Sequence, residues 1–433
     1  MSTASAIDMR HGRVVATGTR FADTVQALPP PARRPERLLF MRDLVVFCHL
    51  RWDFVYQRPQ HLLSRLARFF RVHVVEEPVR CEGEAWLETV VTPEGVKVLK
   101  PHTPIGAAGF DDAQQAVLSE LLAAHVQAQG IGQCIAWLYT PMALPLLDVL
   151  TPSVVVFDCM DDLSMFKGAP PQLRERESAL MALADVVLTG GPSLYDARRT
   201  LHPNVVCLPS AVDPDHYAPA SLSRRPEARD AAAALHRGVA RPRLGFFGVI
   251  DERLDIGLVD ELARADAGWQ IVLVGPVVKI DAQSLPRRPN IHWLGQQPYA
   301  LLPALVADWD VCLLPFALNE STRFISPTKT LEYMAAEKSV VSTAVHDVAT
   351  LYGEAVRIAQ GPRDFVQACR QALAEAPDAR GERLDRMRAI VARSSWDHAA
   401  ARVLAVIDAL FDTGPPATRL PGGRLPDREA AWT

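Results

Sequence analysis

A rhythm that stops and then restarts is what most narrows the fold of this chain. Short apolar runs of strand length alternate with segments whose apolar residues recur at helical spacing. LLFMRDLVVFCHL opens the series, and its length and β-branched character suit a strand. RPQHLLSRLARFF follows, with apolar residues 62, 63, 66, 69 and 70 on one helical face. VHVVEE, QCIAWLY, SVVVFD, DVVLTG and NVVCLP are nearly continuous apolar runs with helical segments between them. Strands that are apolar throughout are buried on both faces. The pattern therefore implies a parallel sheet covered by helices on both sides.

The rhythm breaks at APASLSRRPEARDAAAALHRGVARP, which is rich in Ala, Arg and Pro and holds no strand. It restarts with RLGFFGVI, a helix near 255–265, WQIVLVG, NIHWLG, a helix near 299–308, DVCLLPF, a helix from Pro327 and the strand SVVST. SWDHAAARVLAVIDALF is a strongly amphipathic helix that closes the chain. The expected organisation is a disordered tail at 1–37, a first domain at 38–217, a linker at 218–241 and a second domain at 242–394. A closing helix at 395–411 and a second disordered tail at 412–433 follow. A length of 433 residues agrees with two domains. The fold class read from this is α/β, with two Rossmann-like doubly wound domains facing a cleft. Ligands in such sheets bind beyond the carboxyl ends of the strands, so the chemistry should lie just after them.

Composition excludes several functions. The 50 acidic and 46 basic residues nearly balance, which argues against a nucleic-acid partner. Seven scattered cysteines without a C-x-x-C speak against a disulfide framework or a zinc site, and suit a reducing cytoplasm. No apolar run reaches the ~18 residues of a membrane span, and the start lacks the apolar core of a signal peptide. Only six residues are Lys, at 97, 100, 167, 279, 329 and 338, against forty Arg. A Lys in a special place is therefore informative.

Lys329 stands in such a place. In ISPTKTLEYMAA, Ser326 suits an N-cap and Pro327 the first helical position, which puts Lys329 at the third. A cation there opposes the helix dipole, unless it helps to hold a bound anion such as a phosphate. Arg323 would add charge. Glu332, on the same face, would accept hydrogen bonds from paired sugar hydroxyls. A surface Lys–Glu pair is the plainer account, worth a few tenths of a kcal/mol. In LGFFGVIDERLD, Gly248 ends a strand and lets the backbone approach a ligand, with Arg253 in reach of a diphosphate. No dinucleotide fingerprint is present.

On the first-domain side, VVVFDCMDDLSMF sets Asp158, Asp161 and Asp162 at a strand end. They are either a base and acceptor-hydroxyl ligands, or one helix cap with solvated neighbours. No clear metal-ligand set accompanies them. HLRWDFVYQRPQHLL crowds His49, Trp52, Tyr56, Gln57 and Arg58 into one loop and helix start, which suits acceptor sugars. Arg58, Arg65, Arg68 and Arg71 around Phe69 and Phe70 would allow a peripheral membrane contact, although an ordinary solvated helix is the commoner outcome.

These segments together resemble the bacterial GT-B glycosyltransferases, specifically the retaining group with E-x7-E motifs, from about residue 40 to 411. SPTKTLEYMAAEKSVVST is similar to the group's S-P-x-K-x-x-E-Y-M-A-A-G-x-P-V-V, and LPSAVDPDHYAP to its hinge segment, with Asp213 and Tyr217 in register. LGFFGVIDERLD is similar to V-G-R-L-x-x-x-K-G, and SWDHAAARV to a helix that crosses back onto the first domain. HLRWDFVYQRPQHLL resembles a subgroup found among cell-surface polysaccharide glycosyltransferases. The resemblance implies a cytoplasmic transferase, at most peripheral at the inner face of the membrane. It would move a sugar from a nucleotide-diphosphate donor to a glycan or lipid-linked acceptor without a metal or other cofactor. Gly248, Arg253, Arg323, Ser326, Lys329 and Glu332 would bind the donor, and Arg253 and Lys329 would neutralise the leaving diphosphate. Asp158 and Asp161 would be the first-domain catalytic candidates. Val249 stands for one motif Arg, and Phe324 for the first motif Glu, with Glu320 out of register. These departures keep two alternatives open: a nucleotide-sugar epimerase of the same fold, or a non-catalytic scaffold of a polysaccharide assembly complex.

Overall fold

A computed structural model describes residues 42–166 and 168–412. The two expected tails lie outside the described residues, apart from Asp412, which ends the closing helix. The expected rhythm appears as two α/β units. The first is built on β1 (Arg42–Cys48), β2 (Phe70–Glu76), β3 (Val79–Arg80), β4 (Trp86–Val91) and β5 (Lys97–Thr103). β6 (Gln133–Leu138), β7 (Thr151–Cys159), β8 (Val186–Thr189) and β9 (Val205–Cys207) complete it. The sheet runs β3-β5-β2-β1-β6-β7-β8-β9, with β4 antiparallel on β5. The apolar runs become its central strands because both faces are covered. Val46 and Val74 enter one core cluster, and Val45 and Phe47 the other.

The second unit holds β10 (Arg243–Phe247), β11 (Gln270–Val274), β12 (Ile291–Trp293), β13 (Val311–Leu314), β14 (Ser339–Thr343) and β15 (Arg357–Ala359). All pair in parallel in the order β12-β11-β10-β13-β14-β15. The order reverses between β10 and β13, and a ligand crevice opens at such a switch point. Gly248 and the Lys329–Ala335 helix flank that point.

Residues 218–241 do not form a linker. Pro219–Arg224 is a 3₁₀ turn and Pro226–Leu235 a helix, and Ala232 and Val239 join the second core. Ala-rich sequence after a Pro and an early Glu is good helix material, so the composition marked an element where a linker was expected. The passage between domains falls earlier. Leu208 and Ala211 pack in the first domain, whereas Val212 and Tyr217 pack in the second. The chain recrosses beside this point: Val212 N donates to Ser394 O at 2.9 Å and Trp396 N to Val212 O at 3.0 Å. The closing helix, Trp396–Asp412, then buries Trp396, Ala400, Val403 and Ile407 in the first-domain core. No helix among the described residues is long and apolar enough to cross a membrane.

Candidate donor and acceptor cleft

The second-domain side forms around the end of β10. Gly248 adopts φ +144°, a conformation that side chains rarely allow. A Cβ there would lie 2.0 Å from Lys329 Cε, so the missing side chain is what lets Lys329 cross the strand end. The helix begins at Lys329 itself, two residues later than expected. Thr330 N bonds Pro327 O in a tight turn, and Thr328 is the cap residue. Ser326 is therefore no cap; it lies against Gly191 of the first domain.

Burial lowers the Lys329 pKa, as does neighbouring Arg253, while Glu332, Asp251 and Asp161 pull the other way. Among the described residues Lys329 has no salt-bridge partner; Arg253, in contrast, is clamped by Asp251 at 3.0 and 2.7 Å. Glu332 is 8% exposed and accepts from the Tyr217 hydroxyl at 3.2 Å. Burial pushes it up to about 7, against the pull of Lys329 and of that hydrogen bond. Arg323 does not join this group. It is exposed and lies over the ring of Phe324 at 5.1 Å.

The three aspartates of the first domain separate cleanly. Asp158 is fully buried and forms a two-pronged pair with Arg58, at 3.0 and 2.8 Å, while Arg58 also donates to Leu208 O at 2.7 Å. Neither residue is open to a substrate, which corrects both expectations: this pair ties the first helix to β7. Asp162 caps a 3₁₀ turn through Ser164 and pairs with Arg198 at 3.0 Å. Asp161 remains. Burial raises its pKa against the pull of Arg253, Arg58 and Lys329, so it faces the second-domain cations across the cleft. Asp161, Phe166, Glu320 and Phe324 line a small pocket between the domains. Phe324, in the motif position expected for a Glu, packs against the first-domain core.

The expected acceptor loop is only partly at the cleft. His49 sits just beyond β1. Its Nδ1 is buried without a hydrogen-bond partner, and burial and Lys279 bring its pKa down to about 4, so the ring is neutral. Trp52 N is held by Glu76 at 2.6 Å, and Gln57 N by the side chain of Gln60 at 3.1 Å. Tyr56 stacks on Tyr299 of the second domain at 5.1 Å, beside His61, which makes it an inter-domain contact. The basic stretch is mostly internal: Arg65 bonds Asp397 at 3.0 Å, Arg71 bonds Asp43 at 2.6 Å and Phe70 is buried. Two further cleft residues, Phe166 and Lys279, are not marked by any motif. Arg253 and Lys279 both lie over the Phe166 ring, at 5.5 and 5.2 Å. Lys279 also has φ +62°, unusual for a non-glycine residue, and the scarcity of Lys was the available signal.

Comparison with known proteins bears on the fold that carries this cleft. Over 161 residues the chain is 29% identical to TuaH of Bacillus subtilis (strain 168), named for a glycosyltransferase of teichuronic acid biosynthesis. The match takes in 36% of this chain and only 40% of that relative. Among solved structures, sucrose-phosphate synthase of Thermosynechococcus elongatus superposes with a TM-score of 0.65 at 15% identity, over 86% of this chain and 100% of that one. A UDP-forming trehalose-phosphate synthase of Burkholderia vietnamiensis gives 0.62 at 15%, with the same coverage. Anabaena HepE, solved with UDP and glucose, gives 0.60 at 13%, over 85% and 100%. At these identities the likeness shows the fold, the two-domain GT-B arrangement. Residues 241–375 match the model of the glycosyl transferases group 1, and around that segment the chain has the two-domain GT-B fold.

Proposed function

We propose that the protein transfers a sugar from a nucleotide-diphosphate donor to a glycan or lipid-linked acceptor in cell-surface polysaccharide synthesis, with retention at the anomeric carbon. The observation that carries this reading is Lys329: a partly buried ammonium without a salt-bridge partner among the described residues, laid over Gly248 beside Arg253. Two cations at a strand end suit the charge that develops on a leaving diphosphate. Donors placed where charge appears act without reorganising. Glu332, fixed by Tyr217, suits the paired hydroxyls of a ribose. Asp161, across the cleft, suits an acceptor hydroxyl, and its raised pKa fits it to exchange a proton there. Neutral His49 is a second first-domain group toward the acceptor. No metal has a role in this scheme, because Arg253 and Lys329 supply the positive charge. Retention rests on the resemblance of the Lys329–Glu332 segment to the retaining group. Action at the inner face of the membrane belongs to the same reading; Arg68 and Phe69 are the exposed remnant of the basic stretch.

The test is thermal unfolding with UDP-, GDP- and dTDP-linked sugars. One of them should stabilise the protein, and Lys329→Ala should abolish that effect while leaving the apo protein folded. No stabilisation by any donor, or unchanged stabilisation of the variant, overturns the assignment. Phe324 favours a second reading, a non-catalytic member of a polysaccharide assembly complex, since no carboxylate stands at that motif position. Donor binding without turnover over a broad acceptor panel would select it.

A further inference from the structure

The domains also meet away from the donor residues. β8 ends at Thr189 and is followed by Gly190, Gly191 and the short helix Pro192–Arg198. The second-domain helix His346–Tyr352 begins opposite. Asp347 Oδ1 accepts a hydrogen bond from Ser193 N at 3.0 Å, across the domain boundary. Asp347 is 1% exposed, and its Oδ2 has no hydrogen-bond partner among the described residues.

Gly191 shows why the carboxylate fits. A Cβ at this position would lie 1.9 Å from Asp347 Oδ2 and 2.8 Å from Ser326 Cβ. Its backbone is extended, at φ −175°, which any residue adopts. Backbone geometry therefore does not require glycine here. The bar to a side chain at 191 comes from two residues of the other domain. Ser326 lies three residues before Lys329, so the same contact sets the approach of the Lys329 segment to the first domain.

We propose that Asp347, seated in the socket left by Gly191, is the latch that holds the inter-domain cleft closed, and that it acts as a positioning residue bringing the Ser326–Lys329 segment toward Asp161. The chain crosses between domains twice at one place, beside Val212 and Ser395, and the Asp347–Gly191 contact ties the domains by side chain in addition to those crossings. The latch is built to release. Removing a carboxylate from water is costly, and here hydrogen bonding from Ser193 and the neighbouring His346 offsets that cost only in part. Burial accordingly raises the Asp347 pKa. The kinetic consequence of this proposal rests on the glycosyl-transfer reading; the closure itself does not.

Small-angle scattering of the full chain, without ligand, tests the latch. Gly191→Ala should enlarge the radius of gyration by a few per cent over the roughly 22 Å expected of a compact chain of this length. Asp347→Ala should also enlarge it. In the double variant, Gly191→Ala should add less than it does alone, because the carboxylate at 1.9 Å is gone and only the Ser326 Cβ contact at 2.8 Å remains. Such non-additivity marks a direct contact. Circular dichroism should show all three variants folded. A Gly191→Ala protein as compact as the parent, or two effects that simply add, overturns the proposal. If the scattering follows the expectation but no donor supports transfer, the latch stands and the functional reading falls. If transfer occurs while the scattering is unchanged, the functional reading stands and the latch falls.

Discussion

Glu332 allows the most demanding quantitative test. It is 8% exposed, inside a turn formed by Leu331, Tyr333 and Met334, all buried. Burial raises its pKa from 4.5 to about 7, with Lys329 and the Tyr217 hydroxyl opposing the rise. The folded protein thus holds this proton more tightly than the unfolded chain does. The stability that this carboxyl contributes is fully present below pH 4.5 and is lost as pH rises from there through about 7. At 1.36 kcal/mol per pKa unit the loss approaches about 3 kcal/mol. Glu332→Gln keeps the volume and an acceptor for Tyr217 but cannot ionise. The apo variant should match the parent near pH 4.5 and exceed it at pH 8 by at most about 3 kcal/mol, less whatever Lys329 loses with its charged neighbour. For a domain of this size that is several degrees in Tm, at about 2–4 °C per kcal/mol. Thermal unfolding at pH 4.5, 6 and 8 would measure it. The same variant should lose nucleotide stabilisation, trading function for stability. A variant no more stable than the parent at pH 8 refutes the burial argument. A gain of equal size at every pH refutes titration as its cause.

Three further outcomes are expected. Arg58→Met leaves the buried Asp158 carboxylate without its cation, and should cost about 3–5 kcal/mol in urea unfolding. Asp161→Asn should lower kcat by about 10²–10⁴ while donor-induced thermal stabilisation persists, since Asp161 is assigned to the acceptor. Transfer measured after exhaustive EDTA treatment should keep its rate, because the charge on the diphosphate is met by Arg253 and Lys329.

The sequence was clearest where one physical demand fixes a residue type. Continuous apolar runs such as SVVVFD had to be central strands, and SWDHAAARVLAVIDALF had to lay one face on a core. Gly248 and Lys329 were legible because a strand-end glycine and a misplaced cation each break a local rule. Partnerships between distant residues were not legible. Nothing in VVVFDCMDD says that Asp158 meets Arg58, a hundred residues away, while Asp161 is left facing the cleft. Tyr56 looked like a sugar platform because its ring gives no sign of the Tyr299 that it meets. The β4–β5 hairpin also escaped, since WLETVV is half exposed at a sheet edge and lacks the all-apolar signature of the central strands.

The closing helix also orders events during synthesis. Arg65 meets Asp397 across 332 positions, and Trp396, Val403 and Ile407 fill a core that otherwise belongs to residues before 212. The first domain is therefore sealed by a helix made only after the second domain. At about 5–20 residues per second, the ribosome needs roughly 10–40 s to deliver the roughly 200 residues between them. During that interval an apolar face of the nascent first domain stays open to water. A chaperone that shields this face until Trp396 emerges would raise the yield of native chain, and a ribosome stalled just short of that tryptophan would display the face continuously.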